Sequence, residues 1–211
     1  MKLTVEHYIE SRLQELHQAR EDFQRLFYFL EDTELLFIPE GELWSAIECI
    51  EHLNNTAEHY LPQLTKICKR ENATESKTLR LSWIAGKLRH AMGTAANMKM
   101  TAPKRVQPRR LTNKDLKIAP QKVMENFISD LSQIEKILRI VPHSPELRNT
   151  KVMSAAPPIK VKTLTGLEMM VPHIGRHLEQ AERILAGGRL TKEAQAENPD
   201  LIFPTREAEK E

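Results

Sequence analysis

The sequence predicts an all-α fold, a four-helix bundle with a long crossover between its second and third helices. Three observations carry that reading. Apolar residues recur at three- and four-residue spacing in four long segments, few segments show sustained strand alternation, and nearly fifty residues separate the second pattern from the third.

The first helix is marked by Val5, Tyr8, Ile9, Leu13, Leu16, Phe23, Leu26, Phe27 and Leu30, a single buried stripe from Val5 to about Leu30. Glu31-Asp32 and Phe37-Ile-Pro-Glu-Gly41 break it. Leu43, Trp44, Ile47, Ile50, Leu53, Ala57, Tyr60, Leu61, Leu64 and Ile67 carry the second. Within the long link, Leu79 to about Met92 reads as a shorter helix or a lid, and Met98 to Leu111 as an extended, Pro-punctuated, basic surface segment. Thr112 or Asn113 to Pro120 prepares the third helix, whose face is Val123, Phe127, Leu131, Ile134, Leu138 and Val141 before Pro142 and Pro145 stop it. A link of that length lets helices two and three run parallel. The fourth pattern is Leu167, Met170, Val171, Ile174, Leu178, Ala181 and Leu185, and Gly187-Gly188 is placed as a C-terminal stop. Pro172 removes a backbone donor and is expected to kink this helix or to mark its first turn. The bundle domain is therefore expected over residues 1–190, followed by a polar, flexible tail at 191–211 whose end frays beyond about Pro199.

A chain of 211 residues with 40% hydrophobic content is large enough for one core. Lys and Arg number 31 against 29 Asp and Glu, and the net charge of +2 supplies no global field for a polyanion. No apolar run is long enough to span a bilayer, so a soluble, cytoplasmic protein is expected. Cys49 and Cys68 lie too far apart on one helix to bridge and read as reduced thiols. Lys99, Lys104, Arg105, Arg109, Arg110, Lys114 and Lys117 form a basic stretch opposed locally only by Asp115, but no aromatic is interleaved to stack a base. That stretch reads as a solvated loop or pocket cover, with no nucleic-acid partner. Trp44 and Trp83 read as packing anchors.

Chemistry concentrates in three histidines. His173 and His177 stand four apart, so a helix places both rings on one face. They border the apolar stripe centred on Ile174, where ligands of a partly hydrated pocket stand. The spacing lacks the glutamate that makes His-Glu-x-x-His specific, so carbonyl-capping or solvent-facing rings remain open readings. His52 lies at the edge of the second helix's stripe, with Glu48 one turn earlier on the same side.

Three stretches together resemble the DinB-like (DinB/YfiT) superfamily of metal-dependent proteins. Trp44-Ser-x-x-Glu48 with Glu51-His52-Leu53 is similar to its second-helix motif, Thr101-Ala-Pro-Lys-Arg-Val-Gln-Pro108 to its crossover, and His173-x-x-Arg176-His177-Leu178-x-Gln180-Ala181 to its last helix. The resemblance covers roughly residues 5 to 186. It implies up-down-down-up topology and a metal ion held by His52, His173 and His177. Pro172 and the length of the 69–100 region depart from the family's pattern.

Three neutral imidazoles leave an ion's charge uncompensated and a position open, the arrangement that acidifies a water or thiol. Imidazole suits a divalent ion such as zinc or nickel. Glu48 is the candidate catalytic residue, as proton acceptor or as the group that sets the His52 tautomer, and Gln180 and Asn55 are weaker supports. The resemblance implies a thiol-dependent S-transferase that joins a low-molecular-weight thiol to a small electrophile. The alternatives are a metal-dependent hydrolase and a non-catalytic metal- or ligand-binding stress protein. Exposed bundle faces suggest a homodimer.

Overall fold

The computed structural model describes residues 2–69, 74–94, 101–112 and 117–197. A short strand β1 (Lys2–Thr4) leads into α1 (Val5–Phe27), where the Thr4 hydroxyl accepts from His7 N at 3.2 Å and so caps the helix. After the one-turn α2 (Asp32–Leu36) comes α3 (Ala46–Cys68). The crossover contains β2 (Thr78–Arg80), α4 (Trp83–Met92), a 3-10 turn at Lys104–Val106 and α5 (Arg109–Thr112). Then follow α6 (Pro120–Ile140), a 3-10 turn at Val141–His143, α7 (Pro145–Asn149), the strands β3 (Lys151–Met153) and β4 (Lys160–Lys162), and finally α8 (Thr163–Glu197). No helix among the described residues is long and apolar enough to cross a membrane.

The four long helices form the bundle, with α1 and α3 each packed between α6 and α8. Contacts at one end establish their directions. There β1 pairs antiparallel with β2, Ser76 N donates to His143 O just past α6, and Thr163 N at the start of α8 donates to Thr150 O. The last turns of α3 reach the same end, where His59 Nε2 donates to Met153 O and the Tyr60 hydroxyl accepts from Ala155 N. So α1 and α8 leave this end while α3 and α6 arrive at it, which is the up-down-down-up order. The core is built from the expected stripes, with Tyr8, Phe27, Ile47, Ile50, Leu64, Phe127, Leu131, Leu138, Leu167 and Ile184 all under 2% exposed.

An ion pair crosses this core. Arg12 Nε on α1 donates to Glu168 Oε1 on α8 at 2.7 Å, with the Glu168 side chain fully enclosed. Arg12 Nη1 also reaches Glu15 at 2.6 Å, and Arg89 of α4 grips both Glu15 oxygens at 2.7 Å.

Several local expectations are corrected. The crossover helix begins at Trp83, capped by Ser82, and Leu79 sits in a strand. The basic segment is not simply extended surface, since it forms a 3-10 turn and a helical turn and buries Val106 to 2% exposed. Lys99 and Lys114 lie outside the described residues. Of the two readings of Pro172, the first-turn one falls, because α8 runs through it from Thr163. Gly187-Gly188 does not terminate α8 either. A side chain at Gly188 would stand 3.0 Å from the Phe37 ring and one at Gly187 3.5 Å from Pro39, so these glycines admit the 37–39 segment against the helix. The expected fraying beyond Pro199 lies outside the described residues.

Candidate metal centre

The site begins with the start of α3. Ser45 and Glu48 form a capping box, in which Ser45 Oγ accepts from Glu48 N and Glu48 Oε2 accepts from Ser45 N at 2.9 Å. Arg110 closes on the same carboxylate, Nε to Oε1 at 2.5 Å and Nη2 to Oε2 at 3.0 Å. Glu48 is 1% exposed and both its oxygens are engaged. The expected proton acceptor is thus committed to a helix cap and a guanidinium, because a glutamate three residues past a capping serine is drawn back to the chain end.

One turn further on, His52 is 3% exposed and its Nδ1 stands 2.6 Å from Val106 O. A carbonyl only accepts, so Nδ1 carries the proton and Nε2 presents a lone pair. The tautomer is set by the crossover and not by Glu48. That crossover turn is strapped to α3 by Asn55 Nδ2 donating to Gln107 O at 2.9 Å, Arg109 N to Glu51 Oε2 at 3.1 Å and Arg109 Nη2 to Glu58 at 3.2 Å. Asn55 therefore supports the site through the strap.

From α8, His173 and His177 meet His52. His52 Nε2 and His173 Nε2 are 3.0 Å apart, and ring centroids lie 4.6 Å apart for His52–His177 and 4.4 Å for His173–His177. One nitrogen from each of the three rings falls within 4.8 Å of the other two. The Trp44 ring covers two of them, 5.0 Å from the His52 centroid and 5.8 Å from that of His177. Arg176 between the two α8 histidines donates to Ala91 O at 3.0 Å and anchors the end of α4.

Burial dominates the electrostatics. Desolvation pulls His173 down to about 3, with His52 and Arg176 adding to it. Desolvation likewise carries His177 well below its ordinary value, reinforced by His173, His52 and Arg176 and opposed by the Gln180 side chain. His52 is lowered by burial and partly restored by the Val106 carbonyl. All three rings are neutral at pH 7.

This donor set fits a metal ion. Two ligand nitrogens about 2.1 Å from one ion in tetrahedral array stand about 3.4 Å apart, close to the His52–His173 separation. Nδ1 of His173 is buried without a hydrogen-bond partner, and His177, whose Nδ1 also lacks a well-formed one, has only the Gln180 side chain beside it. Unpartnered imidazole nitrogens in a dry pocket cost free energy unless something satisfies the cluster. A family model described as the DinB superfamily matches residues 15–181. The chain belongs to the DinB superfamily. No curated protein and no solved structure matches it.

A further group of this DinB-superfamily chain, Asp130 on α6, escapes sequence reasoning. A cavity of about 20 Å³, room for one water, is lined by His173, Thr56, Asp130, Met170 and Ile174 among others. Burial first, then Glu58, raises the Asp130 carboxyl to about 7. Its position on the helix face beside Leu131 and Ile134 was the available signal, but a lone aspartate at the margin of a stripe is common. Val106 lies in the crossover stretch that resembles the family, but its side chain gave no signal of its role, because it contributes a backbone oxygen.

Proposed function

We propose that this DinB-superfamily protein is a metal-dependent enzyme in which His52, His173 and His177 hold one divalent ion, zinc or nickel, and in which a low-molecular-weight thiol is joined to a small electrophile. The observation that supports it best is the convergence of three neutral imidazoles, two of them with Nε2 atoms 3.0 Å apart, in a buried pocket. A bound ion would supply Lewis acidity, favouring the thiolate of a thiol at neutral pH.

The chain's own groups have separable tasks. The Val106 carbonyl keeps the His52 proton on Nδ1, so Nε2 always faces the cluster. Burial keeps protons from competing for the three lone pairs at neutral pH. Trp44 excludes water from the ring faces. Asp130 beside His173 is placed to take up a proton near neutrality. Glu48 is a positioning residue, holding Arg110 and the strap.

Elemental analysis of untagged protein tests the ligand set. About one zinc or nickel per chain is expected, with His52→Ala and His177→Ala each losing most of it. Unchanged metal content in both variants overturns the site. Thiols with electrophiles are then assayed beside simple esters and amides. Turnover of the esters or amides alone would make the protein a hydrolase, and turnover of none would leave a metal-binding role.

A further inference from the structure

A second cavity, of about 410 Å³, lies at the bundle end where the strands gather, and its wall carries Lys2, Arg80, Arg148 and Lys162 with no carboxylate among the described lining residues. In a chain with nearly balanced charge, four cations around one concavity without an acid is a local excess. It is far from the histidines, since Leu164 on its wall precedes His173 by nine residues, about 14 Å along a helix.

The backbone enforces this crowding. In the antiparallel pair β1–β2, Lys2 stands directly opposite Arg80, and in β3–β4, Lys162 stands directly opposite Lys151. Like charges in cross-strand register destabilise a ladder. Among the described residues, the hydrogen-bond acceptors of Arg148 and Lys162 are neutral. Arg148 Nη1 donates to Thr78 O at 3.0 Å, and Lys162 Nζ donates to Asn149 Oδ1 at 2.8 Å. Burial lowers Arg148 from its ordinary value, and Glu146 only partly offsets this.

Neutral donors point the same way. Thr165 lines the cavity, is 8% exposed and makes no hydrogen bond through its hydroxyl among the described residues. Leu164 and Thr165 belong to the first turn of α8, and Ser82 and Ala85 bring the start of α4 to the same wall. The Ser82 hydroxyl already accepts from Ala85 N at 3.0 Å, so the first turn of α8 is the end that favours negative charge here, its amides lacking intrahelical acceptors.

We infer that this cavity binds a small phosphate-bearing anion, with Lys2, Arg80, Arg148 and Lys162 as its charged contacts and the Thr165 hydroxyl as a neutral donor. Several separate cations around one concavity match the spread charge of a phosphate better than a single carboxylate. The volume is that of a small-molecule site and not of a flat polyanion track.

Calorimetric titration of the full-length protein with inorganic phosphate and pyrophosphate tests it. Pyrophosphate is expected to bind with Kd below about 1 mM at 0.1 M salt. The double variant Arg148→Gln/Lys162→Gln should bind at least about tenfold more weakly, the loss of one or more charge-assisted hydrogen bonds. Binding should persist in His177→Ala, which separates this cavity from the histidine cluster, and in Lys122→Gln on the far surface of α6. Arg80→Gln is expected to raise the ligand-free melting temperature, because it removes the like charge opposite Lys2, whereas a purely structural arginine would lower it. No heat up to about 10 mM pyrophosphate, equal binding by the double variant, or loss of binding in His177→Ala overturns the assignment. Binding of a single-stranded oligonucleotide without pyrophosphate overturns it too, in favour of a nucleic-acid surface.

Discussion

We predict that the two ends of the buried Arg12–Glu168 pair are unequal, and that this asymmetry is readable by denaturation. In Arg12→Leu, the enclosed Glu168 carboxylate loses its 2.7 Å partner and keeps Arg89 Nη1 at 4.0 Å and the neutral Tyr8 hydroxyl beside it. Stranding a buried charge in this way costs about 3–5 kcal/mol, a large share of the roughly 5–15 kcal/mol that holds a domain folded. In Glu168→Gln, the shape is kept and Arg12 retains Glu15 at 2.6 Å, so the loss falls to about 1–3 kcal/mol. The double variant Arg12→Met/Glu168→Leu removes both charges, and should be more stable than Arg12→Leu despite carrying two changes. Tyr8 sits beneath this pair, 5.1 Å from the Arg12 guanidinium carbon. Urea titrations at pH 7, with equal slopes across the set, supply the free energies. Arg12→Leu costing under about 1 kcal/mol, Glu168→Gln costing more than Arg12→Leu, or the double variant showing additive losses would refute the reasoning.

Three other outcomes are expected. The metal-free protein should lose stability on acidification, because His173 stays unprotonated to about pH 3 when folded but titrates near 6.5 when unfolded, so the unfolded state binds more protons in that window. The contribution is fully present above pH 6.5 and falls by about 1.4 kcal/mol per pH unit below it, with His52 and His177 acting in the same direction, and His173→Leu should flatten the urea midpoint between pH 7 and 5. Asp130 acts with the opposite sign, since its raised carboxyl accumulates a penalty as pH climbs from the unfolded value to about 7; Asp130→Asn should gain about 1 kcal/mol at pH 8 and nothing at pH 3 in the same titration. Gly86→Ala in α4 meets nothing within 4 Å and should stabilise by about 0.5–1 kcal/mol, whereas Gly188→Ala places a methyl 3.0 Å from Phe37 and should lose about 1 kcal/mol by thermal melting in spite of its better helix propensity.

The bundle was legible because its stripes are long and periodic, and the long connection allowed the parallel second and third helices that the family resemblance implied. The three histidines were legible as a pair plus a distant third, with the motif resemblance selecting them from eight histidines in the chain. What stayed hidden was set by close approach and by backbone. Gly187 and Gly188 carry the pattern of a stop, but the pressure on them comes from Phe37 and Pro39, which are remote in sequence. Glu48 shares a helical face with His52, yet the capping box and Arg110 hold its carboxylate, and residue spacing does not reveal which of two neighbours a carboxylate prefers. The basic stretch reads as solvated when its acids, Glu48, Glu51 and Glu58, are counted on another helix.

The 2.6 Å contact between Val106 O and His52 also bears on how this site can change. A peptide oxygen belongs to every amino acid, so replacing Val106 alters the packing around the imidazole but leaves its acceptor in being. Moving that oxygen off the ring takes a shift in chain length between Ala102 and Pro108 or the loss of the strap that Asn55, Arg109 and Arg110 make to α3. Inheritance of the proton's address on His52 is therefore written in spacing, and insertions or deletions in this short stretch are where lineages of the fold would part company in chemistry.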